Sequence, residues 1–213
     1  MTKEEVTQPY TCCRKRATAE FSEKKSRFIG DIAPIETEED ARAFLARIKA
    51  ARPDASHHCY AYITRSGAGR RCSDDGEPGG TAGRPILEVL EREGLTGVAC
   101  VVTRYFGGVL LGAGGLTRAY ARAAHEALKA AGKEVYIPYG VYKAVMGYTH
   151  SDRALRLIGQ RAAVDGVDYL VDVTVTYHIA DGDGGLAEAL TDLCAGAVDI
   201  KKTGVIWLPK DKD

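Results

Sequence analysis

Two glycine-dense blocks occupy the middle of the chain, Ser73-Asp74-Asp75-Gly76-Glu77-Pro78-Gly79-Gly80-Thr81-Ala82-Gly83 and Arg104-Tyr105-Phe106-Gly107-Gly108-Val109-Leu110-Leu111-Gly112-Ala113-Gly114-Gly115-Leu116. Glycine has the most backbone freedom to lose on folding, so glycines at this density mark turns or close approaches that a Cβ would block. Each block leads into a helical pattern: Pro85, Ile86, Leu87 and Leu90 follow the first, and an alanine-rich run from Leu116 follows the second. A helix start exposes unpaired N–H groups and the positive end of the macrodipole. The two blocks therefore predict one concave polar site whose natural visitors are anions, phosphate above all.

A chain of 213 residues that is 45% hydrophobic can bury a core without disulfides. Its first ten residues are charged and polar, and no run of about 18 apolar residues occurs, so neither a signal peptide nor a membrane contact is expected. The expected location is cytoplasmic. The six cysteines contain no CxxC pair and are expected to stay reduced as small apolar residues. Formal charge is zero overall, but residues 1–135 carry 21 Lys+Arg against 18 Asp+Glu, while residues 136–213 carry 8 against 11. That split is far from the strongly basic balance of a nucleic-acid module, and it favours the first half for anion contacts.

Periodicity divides the chain. Ala17–Phe21 and Arg27–Ile35 resemble strands joined at Ser22–Lys25, Thr37 starts an amphipathic helix that ends before Pro53, and His58–Thr64 and Val98–Thr103 are further strands. The long helix from Leu116 buries Tyr120, Ala123, Ala127 and Ala131 and turns Arg118, Arg122, His125 and Lys129 to another face, ending near Gly132. Ile137-Pro138-Tyr139-Gly140 is expected to be a linker between a first domain, residues 1–135, and a second, residues 139–210. In the second, Val141–Thr149 is strand-like and Ser151 is expected to cap a helix. Leu170–Ile179 alternates, with Val171, Val173, Val175 and Tyr177 inward and Asp172, Thr174, Thr176 and His178 outward. A helix with Leu186, Leu190 and Leu193 and a strand at Val205–Leu208 complete an expected β-α-β-β-α-β order.

The motifs Ser73-Asp74-Asp75-Gly76-Glu77-Pro78, Gly83-Arg84-Pro85 and Val101-Val102-Thr103-Arg104-Tyr105-Phe106-Gly107-Gly108, with Gly112, resemble the YigZ/IMPACT family. Ser26-Arg27-Phe28, the segment Ala55–Tyr62 and the tail match as well. The resemblance implies an α+β fold of two domains: an N-terminal α/β domain similar to one in ribosomal proteins and elongation factor G, and a C-terminal ferredoxin-like domain similar to the last domain of that factor. Eukaryotic members carry an extra N-terminal interaction domain and act as translational regulators by binding an activator of a stress kinase. This architecture resembles the bacterial branch, and fold membership does not by itself assign an activity.

No GxxxxGK[ST] occurs, and Gly112-Ala113-Gly114 lacks the third glycine of GxGxxG, which argues against a P-loop NTPase or a dehydrogenase. The expected anion-binding residues are Arg84, Arg104, Gly107, Gly108, Gly112, Gly114, Gly115 and Arg118, facing an acidic loop of Ser73, Asp74, Asp75 and Glu77. No cofactor is expected, with Mg²⁺ on Asp74, Asp75 and Glu77 as the alternative to a loop network. The carboxylates would repel an RNA backbone at this spot unless a cation bridges or the basic face sits elsewhere. His57, His58, Cys59 and Cys72 lack zinc-site spacing, Cys59 is expected to be buried, and His57 to be solvent-facing or hydrogen-bonded. Tyr105 and Phe106 offer stacking surfaces, whereas the outward row of the second domain shows no aromatic for RNA. The expectation is a binding protein linked to translation, contacting RNA, ribosome or a regulator protein through the glycine-loop cleft. The alternative is a small hydrolase or transferase acting there on a phosphorylated or carboxylate ligand.

Overall fold

The computed structural model describes residues 8–180 and 185–210. The fold is α+β, and its described residues belong to two compact units, Tyr10–Val135 and the described parts of Thr7–Pro9 and Tyr136–Asp213.

The first unit is built on an antiparallel five-stranded sheet. In spatial order its strands are β2 (Ala17–Glu23), β3 (Ser26–Pro34), β6 (Val98–Tyr105), β4 (His57–Ile63) and β5 (Arg70–Ser73). Central β6 is buried from Val98 through Arg104, the near-continuous burial expected of a strand covered on both faces. The period of two sorts its neighbours. Ala99 and Val101, with Ala33 of β3, meet Ala41, Phe44 and Ile48 of α1 (Glu38–Ala51). The other face receives α2 (Gly83–Arg92), against β4 and β5, and α3 (Ala113–Ala131), against β2 and β3. α1 starts at a capping box, Thr37 accepting from the Asp40 N–H and Asp40 from the Thr37 N–H, with Glu38 and Glu39 in the first turn.

Three local features depart from the periodic reading. Strand β1 (Tyr10–Cys13) and β5 are four residues each, too short for alternation to show. α3 begins at Ala113 rather than Leu116, because its first turn, Ala113-Gly114-Gly115, contributes no apolar period. The β2–β3 hairpin turns on Lys24 and Lys25 alone, both at positive φ (44° and 65°), as a two-residue hairpin requires.

In the second unit β7 (Lys133–Met146), α4 (Tyr148–Arg161), β8 (Ala163–Tyr169), β9 (Val173–Ala180), α5 (Leu186–Leu193) and β10 (Val198–Pro209) give the β-α-β-β-α-β order. These strands are antiparallel in the ferredoxin-like order β10-β7-β9-β8. Ala154, Ile158, Leu186 and Leu190 of the helices close one face over Ala144, Met146, Val173, Val175 and Tyr177.

Several expectations are corrected here. Ile137–Gly140 is not a linker: β7 runs straight through it, and Pro138 is tolerated with its neighbours paired to β10. Ser151 lies inside α4, its hydroxyl donating to the Tyr148 carbonyl, while Gly147 holds the cap position. Val171 does not face inward but is 92% exposed in the turn before β9. The outward row is not free of aromatics either, since Tyr139 sits edge-on to His178 at 5.6 Å.

Candidate functional site

The two glycine blocks converge in the first unit on a cleft of about 430 Å³. Arg104 is placed by β6 directly across from Phe28 on β3 and His57 on β4. Its Nη1 donates to Glu77 Oε1 at 2.6 Å and its Nη2 to Ser26 Oγ at 3.3 Å. The two charged side chains are only 6% and 3% exposed. The guanidinium also lies over the rings of Phe28 and Phe106, 5.5 and 5.3 Å from their centroids, so its charge is held by a carboxylate and two π faces. Its buried Nε finds no acceptor among the described residues.

Glu77 is shared. Oε1 also accepts from the Tyr120 hydroxyl of α3 at 2.7 Å and stands 3.9 Å from His57 Nε2. Burial, with Cys59 and Glu77 as neighbours, raises the Tyr120 hydroxyl well above the usual phenol range, so it stays a donor. His57 in turn places Nδ1 2.9 Å from the Asp75 carbonyl.

The other two carboxylates turn away from the cleft into the loop. Asp74 Oδ1 accepts from the N–H groups of Ala82 and Gly83, and Oδ2 from that of Gly80, so this carboxylate occupies the start of α2. Burial pushes its pKa up, but the three backbone donors outweigh that and hold it below the usual value. Asp75 accepts from the His58 N–H at 2.7 Å and from Lys49 at 3.0 Å. Cys59 donates to the Asp74 carbonyl, and burial pushes its thiol up to about 12, which removes it as a nucleophile near neutrality. Among the described residues no three His, Cys, Asp or Glu side chains converge as a metal-ligand set.

The start of α3 differs from that of α2. Gly112 holds its cap position at φ 73°, a left-handed value that a side chain would strain, and offers no capping group. The first helical bond runs from the Leu116 N–H to the Gly112 carbonyl. Among the described residues no side chain caps the preceding N–H groups, and no acidic residue lies in that turn. Gly112, Ala113 and Leu116 line the cleft, opposite Ser56, His57 and Glu77. One helix start is thus filled by the chain's own carboxylate, while the other opens onto the cleft.

The Impact N-terminal domain family model matches residues 24–128, a stretch that contains every cleft residue named above. The chain is 32% identical over 211 residues to the IMPACT family member YvyE of Bacillus subtilis, covering 94% of each protein. It is 44% identical over 144 residues to an IMPACT family member of Haemophilus influenzae, covering 64% of this chain and 66% of that one. The chain belongs to the IMPACT family. The crystal structure of a protein described only as hypothetical is also similar, with a TM-score of 0.64 and 30% identity over 93% of this chain and 99% of that one.

Within this IMPACT family chain the expected residues separate. Arg104, Gly112 and Glu77 line the cleft, and Arg118 reaches back over Gly114 at the first turn of α3. Gly107 passes so close to the β2–β3 turn that a Cβ would meet the Lys25 carbonyl oxygen at 1.9 Å. Gly108 turns the loop at φ 81°, and Gly115 packs on Leu111. Arg84 is not brought to the cleft: it is exposed and paired with Glu88 one helical turn on. Ser73 serves the acidic loop, its hydroxyl accepting from the Asp75 N–H. Sequence reasoning missed Ser26 and Tyr120 and left His57 outside the site. Ser26-Arg27-Phe28 carried the one available signal, and its reason is now physical: Ser26 Oγ ties Arg104 to the Gly107 N–H while Phe28 lies against the guanidinium.

Proposed function

We propose that the protein is a binding protein linked to translation or its regulation, and that it engages an anionic group of its partner, RNA or the ribosome first among them, in this cleft. The observation that carries the reading is the uncapped start of α3, opening beside buried Arg104 while the acidic loop consumes its own charges. A helix start of this kind attracts phosphate through its N–H groups and its dipole. The objection that the carboxylates repel an RNA backbone is answered by their partners: Asp74 by three N–H groups, Asp75 by Lys49 and Glu77 by Arg104. The link to translation rests on family membership and on what the resemblance implies for the eukaryotic members.

The hydrolase or transferase reading loses two of its groups, because the carboxylates of Asp74 and Asp75 are engaged in the loop. A direct test measures binding to ribosomes, tRNA and unstructured RNA at two salt concentrations. Arg118→Glu is the suitable variant, since Arg104 is built into the core and its reversal would bury two facing carboxylates. Salt-sensitive binding by the wild type, weakened in Arg118→Glu, supports the reading. Absence of binding to all three at low salt overturns the RNA and ribosome form of it.

A further inference from the structure

The second unit carries an apolar point that its own core leaves bare. Among the described residues ten large apolar side chains are exposed, and four of them gather at one place: Tyr148 at the start of α4 and Tyr169, Leu170 and Val171 at the β8–β9 turn, 54%, 58%, 79% and 92% exposed. None of the four belongs to the core cluster of the unit. Single apolar residues are ordinary on a surface, but a cluster at the tip of a hairpin marks an interaction site. The tip is also held in shape. Tyr169 pairs with Val173 at the end of the ladder, the Leu170 N–H donates to the Asp172 carbonyl at 3.1 Å, and the Tyr148 hydroxyl donates to the Leu170 carbonyl at 2.7 Å, with the two tyrosine rings 6.4 Å apart. A turn tied in this way to the neighbouring helix gives up most of its freedom before it binds, which lowers the entropy cost of docking.

Charge selects the partner. Asp168 and Asp172 flank the apolar triplet, both are exposed, and neither has an ion-pair partner among the described residues. Carboxylates here repel a phosphate backbone, and they repel an anionic lipid surface too, where apolar anchors are accompanied by Lys and Arg. A second copy meeting the tip head-on across a two-fold axis would set four carboxylates against one another. The complement of this tip is a protein pocket that is apolar inside and rimmed by Lys or Arg, and the proteins of the ribosome are basic because they neutralise RNA phosphates. Resting on the proposed reading of the ribosome as partner, we infer that the β8–β9 tip docks a basic protein of the ribosome, Leu170 and Val171 entering an apolar pocket and Asp168 and Asp172 pairing with its rim. The tip thus differs in chemistry from the cleft of the first unit, which suits an anion.

Co-sedimentation of the intact protein with purified ribosomes, and filter binding to the same ribosomal RNA stripped of protein, test this on the wild type, on Leu170→Ser with Val171→Ser, and on Asp168→Asn with Asp172→Asn. The apolar pair of substitutions should weaken ribosome binding about tenfold or more, as loss of a central anchor does, and leave binding to the stripped RNA unchanged. Neutralising the two aspartates should weaken ribosome binding at low salt and less so at high salt. A benzophenone amino acid in place of Val171 should cross-link on irradiation to a ribosomal protein. Ribosome binding unchanged in either pair of variants, or cross-linking to RNA alone, overturns the inference, and the proposed function survives that failure if the wild type binds RNA and Arg118→Glu weakens it. Ribosome binding that needs the tip, without any binding to stripped RNA, supports the inference and overturns the cleft as an RNA site. No binding of the wild type to ribosomes overturns the inference outright. Leu170 and Val171 lie outside the core, circular dichroism checks the fold of each variant, and the cross-link needs neither pair.

Discussion

Glu77 Oε1 accepts from Arg104 Nη1 at 2.6 Å across 27 positions of sequence, with both side chains sealed from solvent. That pair joins the two glycine blocks and fixes the cleft. A buried pair contributes little net stability against an apolar substitute, but breaking it strands a charge. Arg104→Met alone should cost about 3–5 kcal/mol, while Arg104→Met with Glu77→Leu should recover a large part of that. Denaturant unfolding of the four proteins of the cycle reads the difference.

Asp74 closes the start of α2 with three backbone hydrogen bonds. Its pKa is lower folded than unfolded, so its contribution is fully present above the ordinary aspartate value near 3.8 and is lost as pH falls below it. Asp74→Asn should cost about 1–3 kcal/mol at pH 7, because an amide can accept at only one of the two oxygens. The cost should shrink as wild type and variant are compared in increasingly acid buffer. Thermal melts over that pH range check the sign.

Gly107→Ala places a methyl group where the Lys25 carbonyl oxygen already stands, and backbone cannot swing aside as a side-chain tip does. The loop must shift, at an expected cost of about 1–3 kcal/mol in stability. It should also weaken phosphate binding at the α3 start, since the same loop carries Phe106 and leads to Gly112. Gly79→Ala meets nothing within 4 Å and is the control, expected to leave phosphate binding unchanged.

Arg118 is exposed on the second turn of α3, and the side chain is not part of the core. Arg118→Glu should leave stability within about 0.5 kcal/mol. It should weaken RNA binding several-fold at low salt, an effect that added salt suppresses. Filter binding at two ionic strengths separates this from a general loss of fold.

The architecture was legible where a period or a punctuation residue was strong. The helix start at Thr37, the apolar β6 and the Tyr120-Ala123-Ala127-Ala131 stripe all lie where the pattern puts them. Ile137–Gly140 misled because Pro and Gly usually interrupt periodic structure, yet here Pro138 sits in a strand whose ladder continues on both sides. In the site, glycine density located the loops and the charged residues nominated Arg104 and Glu77. The pairing of those two, the inward turn of Asp74 and Asp75 and the entry of His57 depend on register across β3, β6 and β4. Register is a tertiary property, and no local spacing encodes it. Arg84 was drawn in by its place in the motif, but its side chain points along α2 to Glu88.

The proposed function requires the open start of α3 to bind an anion. An amide-resolved NMR titration of the protein with inorganic phosphate tests it most directly. Saturable shifts are expected at Ala113, Gly114 and Gly115, reduced in Arg118→Glu, with no comparable change at Ala82 and Gly83, where Asp74 already sits. Shifts absent from the α3 start, or scattered over exposed lysines and arginines without saturation, would contradict it.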